Sequence, residues 1–155
     1  MSEVNEQDLI TGKINSLIAA LELEVSLETE VEGDTLHFNL VGPDHGYFLN
    51  HKAEPIKNLS FLMQSVLERS FPDSKTRVKM DAESYLRTKE SELHTLAFNA
   101  ADALKQVGDE ISLDPLNPYD RRIVHMALAD KPHLDTQSMG EGHFKKVVIR
   151  YKESE

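Results

Sequence analysis

The 155-residue sequence contains no cysteine, and this absence removes a whole class of chemistry. Without cysteine the chain has neither a disulfide framework nor a thiolate that could act as nucleophile. It also lacks an apolar run of membrane-spanning length, and its first residues lack the basic and apolar regions of a secretion signal. We therefore expect a soluble, cytoplasmic protein that does not insert into a membrane.

Positive charge is scarce: 17 Lys and Arg stand against 27 Asp and Glu, which gives a net charge of −10. This balance disfavours general binding of polyanions, because long-range repulsion opposes their approach. The deficit is uneven, since residues 1–34 hold one Lys and nine acids, whereas residues 116–155 hold seven Lys or Arg and six acids. Any nucleic acid should therefore bind at the C-terminal end, with a modest salt dependence because few phosphates are neutralised.

The sequence also lacks the patterns that mark catalytic centres and metal sites. No two of its seven His residues have the spacing of a helical zinc pair, and there is neither a nucleophile elbow nor a Gly-rich loop that opens a helix. His125, His133 and His143 lie near acidic residues, so a metal site is the alternative to scattered surface His. The sequence predicts no catalytic residue, no metal ligand and no cofactor.

The first half of the chain predicts the element order helix, strand, strand, short helix, helix, strand. Apolar residues recur at helical spacing in the first segment and alternate with other residues in the next two. Two interpretations of the first helix stay open, a docking helix for a partner and an amphipathic helix packed on its own sheet. The expected bounds are Glu6–Leu23, 25–31, 36–40, Asp44–Leu49, Ala53–Arg69 and Thr76–Met80.

A single long helix should join the two halves. Apolar residues stay in phase over residues 81–107, and Gly108 follows in the usual C-terminal cap position. No Pro/Gly/Ser-rich linker is present, so we place the domain boundary near Asp81. Beyond this helix we expect strands at Ile111–Leu113, His133–Ser138 and Phe144–Lys152.

A further helix is predicted to begin after Asn117, a favourable N-cap that is followed by Pro118 at the first helical position. Arg121 and His125 are four residues apart, so their side chains should be neighbours on one exposed face. The residues expected on the opposite face, in the core, are Tyr119, Ile123, Met126 and Ala127. A cation beside a flat, titratable ring suits a phosphate and a base. The alternative is a surface Arg and a half-buried His, because Arg-x-x-x-His often arises by chance.

This motif, with Leu113–Pro115 before it and Gly140–Arg150 after it, resembles the R-three-H domain, a single-stranded nucleic-acid-binding domain named for an Arg and a His separated by three residues. More narrowly, the stretch from about Asp81 to Lys152 resembles the C-terminal part of the bacterial Jag family, also called KhpB. The resemblance implies a small α/β domain that binds single-stranded nucleic acid through Arg121 and His125.

In the Jag family the preceding region is a KH domain, and the elements predicted for residues 1–81 match a KH domain of the bacterial type. The stretch Gly42–Leu49 resembles the approach to the KH nucleic-acid loop. That loop normally has the sequence Gly-x-x-Gly, which lets the backbone press against four nucleotides.

Both glycines of this loop are missing here, where the aligned residues run from Asn50 to Ala53. Asn50 still tolerates the left-handed conformation, whereas the Cβ of Ala53 obstructs a close approach. His51 and Lys52 remain candidate phosphate contacts. We expect this half to bind nucleic acid poorly, or to serve protein contacts instead.

The last predicted strand adds candidate contacts near the Arg–His helix. Alternation places Val147, Ile149 and Tyr151 on one face and a broken basic stripe on the other. The alternative for this stripe is a solvated face on which Lys protects an edge strand. The nucleic-acid-binding candidates are Arg121, Arg122, His125, Phe144, Lys146 and Arg150.

We therefore predict an α/β (α+β) protein with a KH-like domain at residues 1–81 and an R-three-H-like domain at residues 82–155. The expected function is binding of single-stranded RNA, and in second place single-stranded DNA, by a bacterial post-transcriptional regulator of the Jag type that is not an enzyme. The alternative is a protein-interaction adaptor whose KH-like half forms a homodimer or pairs with a second small KH protein, as the family does. A third hypothesis is an enzyme acting on nucleic acid, but the sequence shows no set of acid/base or metal-binding residues that would support it.

Overall fold

A computed structural model describes residues 4–153 and divides the chain into two compact units, which part after Arg87. Within the described residues each unit has a three-stranded sheet and an apolar core of its own. Helices and strands are mixed in both units, so the predicted α+β class is confirmed. The two predicted domains also include residues 1–3 and 154–155, which lie outside the described part of the chain.

The first unit has the predicted element order. Its elements are α1 (Glu6–Ala20), β1 (Ser26–Glu32), β2 (Thr35–Val41), a 3-10 turn (Pro43–His45), α2 (Gly46–Ser70) and β3 (Arg77–Ala82). The central strand is β2, which pairs antiparallel with β1 and parallel with β3. The first helix ends earlier than the predicted Leu23.

The core of the first unit lies on one face of this sheet. Every second residue of β2 is buried, among them Phe38 and Leu40, as the alternation of a half-buried strand requires. Ile10 and Ile14 of α1 are fully buried in the same cluster. Of the two interpretations of the first helix, the one in which it packs on its own sheet is therefore confirmed.

The segment aligned with the KH loop interrupts α2. Asn50 is extended (φ −58°, ψ 156°), and His51, Lys52 and Ala53 have positive φ angles of 50°, 59° and 61°. The left-handed conformation, which Asn50 could tolerate, is adopted by the three residues that follow it. A residue other than glycine in the left-handed conformation costs roughly 1–2 kcal/mol of folding free energy. Ala53 is fully buried, so its methyl group packs into the core and does not obstruct the outer surface.

The long helix begins later than predicted because Asp81 is a strand residue. This helix, α3, spans Tyr85–Val107. The Asp81 carboxylate accepts backbone N–H bonds from Leu86 and Arg87 at 2.9 and 3.0 Å, so it caps the helix from the end of β3. Gly108 follows the helix with φ 83°, in agreement with the predicted C-terminal cap.

The second unit continues with four elements, each within two residues of its predicted bounds. They are β4 (Glu110–Ser112), α4 (Pro118–Leu128), β5 (Leu134–Met139) and β6 (Lys146–Tyr151). The central strand is β6, antiparallel to both β4 and β5. The core lies between this sheet and the helices, where Leu104 of α3 and Val124 of α4 meet Val147 and Ile149 of β6, all fully buried.

Candidate nucleic-acid interface

The start of α4 is fixed by a reciprocal pair of side-chain contacts. Asn117 accepts a bond from the backbone N–H of Asp120 at 2.9 Å, and its own amide donates to the Asp120 carboxylate at 3.1 Å. Asp120 is only 6% exposed, so this carboxylate is buried and satisfied by the capping residue. The predicted N-cap and the first-turn proline are therefore confirmed, and they fix the position at which α4 begins.

The buried face of α4 is only partly the predicted one, since Ala127 is buried and Ile123 packs against the core as expected. Tyr119 and Met126 were expected in the core but are 40% and 64% exposed. With a step of about 100° per residue, a buried face centred on Val124 leaves both on the outer side and puts Arg121 and His125 at its border. The buried residues of the helix are Asp120, Val124, Ala127 and Leu128.

His125 is half-buried and held by two hydroxyl groups of β5. Its Nδ1 lies 2.7 Å from Thr136 Oγ1, and its Nε2 lies 2.9 Å from Ser138 Oγ. Thr136 and Ser138 are two residues apart on one strand, so their side chains share a face. A hydroxyl both donates and accepts, so the pair satisfies a neutral imidazole in either tautomer. The nitrogens are therefore engaged, and the flat face of the ring is the part left for a ligand.

The surroundings of His125 favour its neutral form. Burial lowers the pKa of His125 below 6.5, and the positive charge of Arg121 lowers it further, while the nearby Asp135 carboxylate acts in the opposite direction. At neutral pH the ring is therefore uncharged. Stacking of this neutral ring on a base fits the arrangement better than an ionic contact with a phosphate does.

Arg121 is also half-buried, and its guanidinium is already engaged. Nε donates to the carbonyl oxygen of Leu116 at 3.1 Å, and Nη2 donates to the carbonyl oxygen of His143 at 3.2 Å. These two nitrogens form one edge of the planar fork, and that edge spans two backbone segments. Arg121 was predicted on an exposed helical face and is instead half-buried, with two of its guanidinium nitrogens bonded to backbone carbonyl oxygens.

Arg122 and Phe144 are both exposed in the second unit. Arg122 follows Arg121 on α4 and lies on its outer side. Phe144 precedes β6 and is 46% exposed, with its ring edge-on to that of His143 at a centroid distance of 5.1 Å. Both side chains can therefore be reached by a ligand from the solvent.

Lys146 and Arg150 lie on the other face of the sheet from α4. They alternate along β6 with the buried Val147 and Ile149, which pack against the helices. Arg150 is 3.2 Å from the carboxylate of Asp135, with which it forms an ion pair. The structure therefore does not bring Arg150 to the Arg121–His125 pair, while Lys146 is the first residue of β6, two residues after Phe144.

The three His residues considered for a metal site lie in different surroundings. They contact different partners: His125 contacts β5, His133 stacks on Tyr151, and His143 lies against Phe144. Across residues 4–153 no group of three His, Asp or Glu side chains is placed to hold a metal ion. The helices of the same range include none that is both long and apolar enough to cross a membrane.

Two of the residues that build the site, Thr136 and Ser138, were not among the candidates. A signal was present, because two hydroxyl residues on one face of a predicted strand indicate a polar partner on that face. The remaining candidates, His51 and Lys52, belong to the first unit, where both side chains are exposed.

Comparison with known proteins assigns the second unit to a family. Residues 91–151 match the model of the R-three-H domain, the same domain that the sequence motif resembles. The match contains α4 with Arg121 and His125, and both strands that frame them. The second unit therefore contains an R-three-H domain.

The similarity extends beyond that domain to proteins of the KhpB, or Jag, family, which the sequence resembles. The chain is 34% identical over 132 residues to a protein of Clostridium symbiosum named RNA-binding protein KhpB, covering 85% of this chain and 59% of the relative. A Bacillus subtilis protein of the same name is 28% identical over 120 residues, covering 76% and 57%. The predicted resemblance to this family is confirmed, and the chain spans less than three fifths of the length of these relatives.

Proposed function

We propose that this chain binds single-stranded RNA through the second unit. The observation that carries the proposal is the fixed imidazole of His125, which two hydroxyl groups hold beside Arg121 at the border of the exposed face of α4. This arrangement lies within the R-three-H domain, and the relatives that match along the chain are named as RNA-binding proteins.

The chemistry of the site favours stacking over charge pairing. A neutral ring whose nitrogens are satisfied presents its π-face, and stacking of a base on such a face tolerates any base. Arg122, exposed on the same helix, supplies a cation for the sugar–phosphate backbone. The site therefore suits unpaired nucleotides and should have a weak sequence preference. Stacking also requires little positive charge, which is compatible with a chain of net charge −10.

The test is an equilibrium titration of the full chain with oligouridine RNA, the corresponding single-stranded DNA and an RNA duplex, each at two salt concentrations. We expect the single strands to bind more tightly than the duplex. His125→Ala should weaken binding about 5- to 150-fold, as loss of one stacked base implies. Arg122→Ala should weaken it less and reduce the salt slope by about 0.7, the contribution of one phosphate on a single strand. Duplex binding as tight as single-strand binding would reject the proposal.

We further propose that residues 1–81 form a KH-like domain and residues 82–155 the R-three-H domain. The mixed sheet of the first unit and the break in α2 at residues 50–53 support a KH-like arrangement. The acidic β1 and the absence of both loop glycines disfavour RNA binding there. The first unit is therefore assigned to protein contacts.

A pairing role for the first unit is supported by an exposed apolar pair on α2. Phe61 and Leu62 are 76% and 53% exposed on the outer side of this helix. Two antiparallel copies of α2 centred on this pair would set Glu54 of one against Arg69 of the other. We therefore propose self-pairing through α2, with a second small KH protein as the alternative partner. Sedimentation equilibrium should show a dimer that Phe61→Ser dissociates, and a monomer at all concentrations would exclude self-pairing.

The cellular assignment rests on the proposed ligand. We propose that the chain acts as a bacterial post-transcriptional regulator in the cytoplasm, where RNA is available, and that it binds without catalysing a reaction. The names of its relatives, which describe binding, support this assignment.

A further inference from the structure

The connection between β5 and β6 is a glycine-containing loop that the Arg–His motif does not include. This β5–β6 loop, residues 140–145, is exposed except for the half-buried Lys145. Gly140 and Gly142 have φ angles of 122° and 83°, which other residues adopt rarely. Glycines make such a loop adaptable in shape, so its shape depends on ties to the rest of the unit.

Two ties hold the loop to the segment before α4. Leu116 and Lys145 exchange two backbone hydrogen bonds, at 2.8 and 3.1 Å. The guanidinium of Arg121 supplies the second tie, because it donates to the carbonyl oxygens of both Leu116 and His143. A single planar group therefore bridges the two backbone segments, and it reaches the loop at the residue before Phe144.

The residues held in this way carry two aromatic rings at the surface. The His143 and Phe144 rings are in contact at an interplanar angle of 75°, and both side chains are exposed. An exposed aromatic ring next to basic residues, here Lys145 and Lys146, is the combination that binds unpaired bases together with their phosphates.

We propose that Arg121 is a positioning residue, and that it holds the β5–β6 loop so that the His143–Phe144 ring pair forms a second stacking platform for single-stranded nucleic acid. The proposal rests on the proposed function and deepens it, since it assigns the ligand a second contact beyond His125. The phosphate contact of α4 then falls to Arg122, whose side chain is exposed.

The decisive variant is Arg121→Lys in the full chain, titrated with oligouridine. Lysine keeps the positive charge but has no planar fork, so it reaches one of the two carbonyl oxygens and not both. We expect the affinity to fall about 5- to 150-fold, and we expect the same fall for Phe144→Ala, because both changes remove one stacked base. The salt slope should stay at the wild-type value, since no charge is lost. The matched control is Arg87→Lys, an exposed ion-paired arginine of the first unit, which should bind as wild type.

Two further measurements separate positioning from direct contact. Hydrogen exchange in the absence of RNA should be faster at residues 143–145 in Arg121→Lys than in wild type. The double variant Arg121→Lys with Phe144→Ala should have the same affinity as whichever single variant binds RNA more weakly, because both substitutions act on one platform.

The outcomes distinguish this inference from the function beneath it. If Arg121→Lys keeps wild-type affinity, or if the two effects add fully, Arg121 does not act through the loop and the inference is overturned. If Phe144→Ala binds as wild type while His125→Ala does not, the platform is absent but RNA binding at α4 stands. If the wild-type chain binds no single strand at all, the proposed function itself fails.

Discussion

The hydroxyl of Ser138 lies 2.9 Å from Nε2 of His125 and closes one side of the imidazole, while Thr136 closes the other at 2.7 Å. The ring therefore has a fixed plane before any ligand arrives. A fixed flat group loses little conformational entropy on stacking, so the two hydroxyls contribute to affinity without touching the ligand.

Removing these hydroxyls should weaken both stability and binding. Thr136→Val and Ser138→Ala each leave one ring nitrogen without its partner, which costs roughly 0.5–1.5 kcal/mol of unfolding free energy. Urea denaturation measures that loss, and titration with oligouridine should show a fall in affinity smaller than that of His125→Ala. Ser112→Ala, an exposed hydroxyl of β4, is the matched control. Wild-type affinity in both variants would show that the ring needs no orientation.

The depressed pKa of His125 predicts a pH-dependent stability. Because burial and Arg121 lower the folded-state pKa below 6.5, the unfolded chain binds a proton more readily than the folded chain does. The contribution of the neutral ring is therefore complete above the unfolded pKa and is lost as pH falls through the folded pKa. Melting temperatures of wild type and His125→Gln should converge between about pH 7.5 and about pH 5. A difference that stays constant over this range would contradict the prediction.

The sequence predicted the bounds of α4 but not its orientation. The bounds follow from local chemistry, since Asn117 caps the helix and Pro118 suits its first turn. The buried face depends on which side meets β5 and β6, and the apolar character of Tyr119 and Met126 does not decide that. Pairing with Asn117 is what allows Asp120 to be buried, and such a contact is invisible to a hydrophobic pattern.

The loop in α2 is a second feature that the local sequence did not predict, in this case a backbone conformation. The absence of the glycines could be read from the sequence, but the backbone angles that residues 50–53 adopt could not. Packing of Ala53 into the core holds it left-handed together with His51 and Lys52, while Asn50 stays extended. Tertiary packing thus overrides the local preference for glycine or asparagine at such positions.

A glycine in this loop should stabilise the protein. Lys52 is exposed and has φ 59°, so Lys52→Gly removes the strain of a Cβ in the left-handed region at no cost in core packing. Part of the gain is offset by the larger entropy of glycine in the unfolded chain. The free energy of unfolding should therefore rise by about 0.5–1 kcal/mol. Lys52→Ala keeps the Cβ and should give no such increase. Equal unfolding free energies for the glycine and alanine variants would show that the loop carries no strain.

The separate cores of the two units predict that RNA binding survives division of the chain. Residues 82–155 contain all of α3, the second sheet and the Arg121–His125 pair, and they should retain most of the affinity for oligouridine. Residues 1–81 contain the acidic first strand and the loop without glycines, and they should bind weakly at any salt concentration. The C-terminal fragment lacks the Asp81 carboxylate that caps α3, which costs about 1 kcal/mol, so circular dichroism must first show that it is folded. Equal affinity in residues 1–81 and the full chain would place the RNA site in the first unit and reject the assignment to α4.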